Sequence, residues 1–235
     1  MTTFRLAEPR ETAALAVFLT RLLRYDRAAV VRLKAHGPAL AVFGRPPFDV
    51  LAVRTVELAE PAEADATVSA GRLLDGLDEA GGAVPVPEAV TGPPWAGLLP
   101  PRAGWRRVAE LSPEAVHRAV AEGVAEFRAR TEQLGPDQRT RAELDRIAGE
   151  IWSRPLPTAD GLPLRAVHAA HSLGFLRPLG VASQGSRSTP SPRPAGQADA
   201  VVVLSCASWL RVRTAHGSIA LRRGAGPGIA VTPLS

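Results

Sequence analysis

The 235-residue chain has one cysteine, one methionine, one tyrosine and, among its 28 basic residues, a single lysine, Lys34. Cys206 alone excludes an internal disulfide framework and any thiolate-rich metal cluster, so a reducing compartment, by default the cytoplasm, is the expected address. No uncharged apolar stretch reaches the roughly 18 residues that a membrane helix needs, and Glu8, Arg10 and Glu11 interrupt any signal-peptide start. No membrane partner is therefore expected. The serine-hydrolase elbow, the Walker loop, the dinucleotide fingerprint and the zinc-protease motif are all missing. Gly224-Ala225-Gly226-Pro227-Gly228 shares only its glycine content with a phosphate loop, because neither a helix nor a lysine follows; it reads as a turn between strands. These absences imply no cofactor and favour a non-enzymatic binding protein over an enzyme with an unrecognised site.

What is present is a core. Leu and Val number 27 and 22 against 4 Ile and 6 Phe, about a quarter of the chain, too apolar for intrinsic disorder. The net charge of +5 is unevenly spread. Residues 1–100 carry a net −2 and residues 101–155 a net +1, whereas residues 156–235 carry eight arginines against Asp160 and Asp199, a net +6. Phosphate backbones and acidic proteins exploit such an asymmetry through steering and counterion release. The near-absence of lysine has a plainer source as well, since it looks like GC-rich coding, which raises the calculated pI with no function attached.

The pattern predicts an α+β protein: an N-terminal helix with an antiparallel β-meander, a helical middle and a C-terminal antiparallel β region. Five stretches follow along the chain: a helix-and-meander unit (1–82), a Pro/Trp-rich connector (83–111), a helical region (112–176), a linker-like loop (177–199) and a basic β region (200–235). In the first, residues 11–25 place Leu15, Phe18, Leu19, Leu22 and Leu23 at helical spacing. Three strands follow at 29–35, 39–43 and 50–58, divided by the turn chemistry of His36-Gly37-Pro38 and of residues 44–48. Residues 67–80 read as a second helix, with the acidic run from Glu57 to Glu79 at its edge and in its leading loop. Trp95 and Trp105 punctuate the proline-rich connector, either as a contact surface for a protein partner or as pins holding a loose segment to the core.

Ser112-Pro113-Glu114 opens the clearest helix, with a capping hydroxyl, a proline at the first turn and an acid at the positive end of the dipole. A second helix over 138–153 forms a hairpin with it and buries Ile147, Ile151 and Trp152. A third spans about 162–173, with Leu164, Val167, Ala170 and His171 directed inward. Residues 186–194 are almost purely linker-like. Strands are expected at 200–206, 209–214, 218–222 and 229–232, and the recurrence of Ala35-His36-Gly37 as Ala215-His216-Gly217 hints at a duplicated meander.

Residues 164–176 look like the end of a helix-turn-helix recognition helix running into a wing, which residues 209–223 would supply. That resemblance implies phosphate and base contacts from Arg165, His168, His171, Arg211, Arg213, Arg222 and Arg223. Strand alternation adds that Arg211 and Arg213 share one face, with Leu210 and Val212 on the other. The expected partner is nucleic acid or an acidic protein, and the rival partner surface is Trp95 with Trp105. His168 and His171, three apart on a helix, could face one metal with His117 or His216, but no carboxylate or cysteine stands at ligand spacing, so they read as a packed or surface pair and no metal is expected. Cys206, inside an apolar run, reads as core.

Overall fold

The computed structural model describes residues 2–90, 98–176 and 200–223. The chain forms an α+β structure, as its pattern predicts, built on a six-stranded antiparallel sheet of order β2-β3-β8-β7-β6-β5. The strands are β2 (Val30–Gly44), β3 (Leu51–Ser69), β5 (Arg106–Leu111), β6 (Val201–Cys206), β7 (Trp209–Thr214) and β8 (Gly217–Arg222). A small pair, β1 (Thr3–Arg5) with β4 (Ala83–Pro85), stands beside it. The helices are α1 (Arg10–Tyr25), α2 (Ala70–Asp75), α3 (Pro113–Glu132), α4 (Arg141–Trp152) and α5 (Leu164–Ser172).

The N-terminal half departs from the expected three-strand meander. His36-Gly37-Pro38 is not a turn: β2 runs through it unbroken, and Gly37, at φ +55°, absorbs an irregularity at which the partner on β3 jumps from Ala62 to Glu57. A left-handed residue lets the strand bend without ending, which is a role glycine fills at little cost. The real hairpin lies between Gly44 and Leu51. Its second arm, β3, continues to Ser69, so the helix expected over 67–80 shrinks to Ala70–Asp75, capped by the Ser69 hydroxyl, which accepts from the Arg72 amide at 3.3 Å. The acidic run is thus largely strand. Ala62, Ala64, Ala66 and Val68 face the core while Glu63 and Asp65 face outward, and Asp65 accepts from Arg32 (2.7 and 2.9 Å) and Lys34 (3.1 Å) across the ladder. Arg32, then Lys34, hold the Asp65 carboxyl down to about 2.

The C-terminal strands fall where the alternation places them. β6 and β7 are joined through Ala207 (φ 48°) and Ser208, and β7 and β8 through Ala215 and His216. Ala35-His36-Gly37 is therefore a bend inside a strand and Ala215-His216-Gly217 a hairpin turn, and the two are not copies of one device. The last predicted strand (229–232), the glycine turn (224–228) and the linker-like loop (177–199) lie outside the described residues.

One apolar core fills the inner side of the sheet. Leu15, Phe18, Leu19 and Leu22 of α1 and Leu164, Val167 and Ala170 of α5 bury against Val31, Leu40, Val42, Val56, Val203, Val212 and Ile219. The sheet spans the chain: β2 and β3 come from the N-terminal part, β8 to β5 from the rest, joined by Leu51, Ala52 and Val53 opposite Ala220, Ile219 and Ser218. Further out, α3 and α4 form the expected hairpin. Ser112 accepts from the Ala115 amide at 3.1 Å and Thr140 from Glu143 at 3.3 Å, and Glu126 on α3 pairs with Arg130 and with Arg154 beyond α4.

Candidate functional site

The outer face of the sheet carries a second, smaller apolar cluster of Phe43, Leu51, Val53, Trp209 and Ala220. Residues 98–105 cross it as a strap, with Leu99 and Trp105 packed down on it. The Trp105 indole Nε1 donates to the Pro101 carbonyl at 2.7 Å, closing the strap into a loop. Trp105 is thus a pin, with its ring turned towards the protein; Trp95 lies outside the described residues.

Three sequence-predicted arginines share this face. Leu210 and Val212 are 2% and 0% exposed on the inner side, so Arg211 and Arg213 point outward together, as the alternation requires. Arg222, opposite Trp209 in the ladder, joins them on β8. Arg213 and Arg222 are exposed. Arg211 is half-buried: its Nε donates to Ser218 Oγ at 2.9 Å, and its guanidinium lies 5.8 Å from the centre of the Trp105 ring. Burial, and then the charge of Arg213, lower its pKa, although an arginine stays protonated at any ordinary pH. Among the described residues none of the three has a carboxylate within 4 Å.

The other four predicted contacts, Arg165, His168, His171 and Arg223, lie away from this row. Arg165 pairs with Asp49 at 3.3 Å, and Arg223 with Asp160 and with Ser205 Oγ. His168 stacks flat on Trp152, with centroids 4.2 Å apart, and meets Phe48 edge-on at 5.1 Å. Burial, and then His171, lower its pKa. His171, expected to turn inward, is exposed; its ring meets that of His117 at 5.7 Å, away from the His168 stack. The arrangement separates the two halves of the helix-turn-helix resemblance. α5 packs against the inner side of β7 and β8, while the basic side chains of that hairpin face outward, so helix and wing cannot meet one duplex surface together. Cys206, expected in the core, is half-buried at the outer end of β6, its Sγ 3.5 Å from the Ala103 carbonyl.

Two recesses flank the outer arginines. One, of about 590 Å³, lies between Arg45 and Arg222 over Trp209 and Leu51, with Asp49 also on its wall. The other, of about 180 Å³, lies under the strap between Lys34, Arg102 and Arg211. Sequence reading had no route to Lys34 or Arg102, which become neighbours of Arg211 only when the bent β2 and the strap close over the same sheet.

An α+β protein with a basic, strapped outer sheet face is the class that these features define. Residues 100–226 match a domain of unknown function, DUF8185, and as the match spans more than half of the chain, the protein belongs to that family. Residues 1–97 match a second domain of unknown function, DUF8010. The boundary between the two falls in the connector, yet strands of both regions build one sheet. No curated protein shows significant similarity to the chain. Among the described residues, no helix is long and apolar enough to cross a membrane.

Proposed function

We propose that the protein binds polyanions, nucleic-acid backbones first among them, through the outer face of its sheet. The observation that carries this reading is the set Arg211, Arg213 and Arg222 on two adjacent strands of one face, without a carboxylate partner among the described residues. Residues two apart on a strand project their side chains about 7 Å apart along it, so the set offers a row of guanidinium groups to successive phosphates. Such contacts position a backbone and carry no base sequence. Arg165, His168 and Arg223 take no part in this row, because they are engaged by Asp49, Trp152 and Asp160. Trp105, drawn down onto the sheet, serves the face by fixing the strap and not as a partner surface.

The test is retardation of duplex DNA and RNA, with heparin as a base-free polyanion, at a series of salt concentrations. The wild type should bind at about 50 mM salt, and an Arg213→Ala, Arg222→Ala double variant should bind all sequences more weakly, with a salt slope smaller by about two. A wild type that retards none of the three at that salt ends the proposal. Binding only to acidic proteins would transfer the face to protein recognition.

A further inference from the structure

The recess under the strap has a different chemistry from the open arginine row. Its walls are Pro100, Pro101 and Arg102 of the strap on one side and Lys34 on β2 on the other, with Arg211 at one end. Three of its lining residues are cations and none is an acid. Its floor is apolar: Phe43 and Val53 are 8% and 4% exposed, and the small side chains of Ala39 and Ala41 leave the space open. At about 180 Å³ it is smaller than the roughly 300 to 1,000 Å³ of pockets for drug-sized ligands, and too small for a polymer strand.

We propose that this recess is a separate site for a small organic anion, a carboxylate or phosphate group on a compact apolar body. Arg211 is the centre of the argument. Its Nε is committed to Ser218, while its terminal nitrogens meet no acceptor among the described residues, and the guanidinium is half-buried. A charge withdrawn from water without a counter-charge is costly, and an anion entering the recess offsets that cost with charge-assisted hydrogen bonds. Lys34 is preset for the same anion: Asp65 holds its ammonium at 3.1 Å, and Arg32 shares that carboxylate, so the cluster of three keeps a net positive charge. The apolar floor adds a requirement that a bare phosphate does not meet. Filling it with a small ring or branched chain removes Ala39 and Ala41 surface, and the little that Phe43 and Val53 still expose, from water, which favours an anion with a hydrophobic body over an inorganic one. The closed strap, held by the Trp105 to Pro101 hydrogen bond, gives the site a fixed wall and so reduces the ordering cost of binding.

The site does not rest on the polyanion reading, and its test keeps the two apart. Full-length protein is titrated with phenyl phosphate, benzoate and inorganic phosphate by calorimetry, with amide NMR to locate the response. Phenyl phosphate, benzoate or both should bind saturably with Kd about 1 mM or tighter, at least tenfold below inorganic phosphate, and should shift the amides of Ala41, Val53 and Arg211. Binding of only one of the two assigns the anion class. Arg211→Met should abolish binding. Ala41→Leu, which fills the floor, should abolish it while leaving DNA retardation unchanged, and Ala39→Leu does the same from the rim should Ala41→Leu fail to fold. The Arg213→Ala, Arg222→Ala variant should keep it. No saturable binding of either aromatic anion, equal binding of inorganic phosphate, or binding that survives a folded floor-filling variant overturns the proposal.

Discussion

The Arg54 side chain lies on the inner side of the sheet at 8% exposure, and removing it should reveal how the two sequence regions are fastened together. Its Nη2 donates to Glu11 Oε2 of α1 at 2.6 Å, and its Nη1 to the His216 carbonyl in the β7–β8 turn, so a single guanidinium links an N-terminal helix to a C-terminal hairpin. Removing one member of a buried ion pair typically costs about 3 to 5 kcal/mol, because the other charge is left uncompensated. Here the Glu11 side chain keeps 31% exposure and water can recover part of that loss. Arg54→Met should therefore destabilise by about 2 to 4 kcal/mol, the lost hydrogen bond to the His216 carbonyl included. Glu11→Gln, which keeps an acceptor, should cost about 1 to 3 kcal/mol. In the double variant neither charge is stranded, so its cost should fall short of the sum by about 1 to 3 kcal/mol. Urea unfolding of the four proteins, with a common slope, measures that coupling. A coupling below about 0.5 kcal/mol, the worth of an ordinary surface pair, would refute the view that this pair is a buried fastener.

The His168 imidazole, lowered by burial and then by His171, stays neutral in the fold to a lower pH than in the unfolded chain, whose histidines protonate near 6.5. Unfolding then takes up protons, so stability should fall as pH drops below about 6.5 and level off below the folded pKa. His168→Phe, which keeps the stack on Trp152 and whose lost Nδ1 had no partner, should flatten that fall in a series of melts from pH 7.5 to 5; an unchanged slope would remove His168 as its source. Two glycines should respond with opposite signs in thermal melts. A Cβ on Gly217 would meet the buried Phe175 ring at 2.7 Å, so Gly217→Ala should cost about 1 to 3 kcal/mol. Gly149, inside α4 with nothing within 4 Å of its Cβ position, should gain up to about 1 kcal/mol as alanine.

The sequence by itself determined the elements whose signals are local. Ser112-Pro113-Glu114 opens α3, leucine spacing marks α1, and the alternation from Val201 to Arg222 sets three strands and the common face of Arg211 and Arg213. Capping, helical period and strand period each act within a few residues, so each is readable without knowing what lies beyond. The tertiary structure alone decided the rest. Glu63-Ala64-Asp65-Ala66 has residues of low strand propensity, and only pairing with β2 and burial of its alanines make it a strand. Gly37 reads equally as a turn or a bend until a partner on β3 continues past it. The candidate site depends most on the distant part of the chain. Arg165, His168 and Arg223 resemble Arg211 and Arg213 in type and neighbourhood, yet Asp49, Trp152 and Asp160 claim them, while Lys34 and Arg102 join Arg211 from far along the chain. Whether a charged side chain is paired or free is a matter of which carboxylates the fold brings within about 4 Å, and that distance is fixed by sheet order and strap position, which no local pattern encodes.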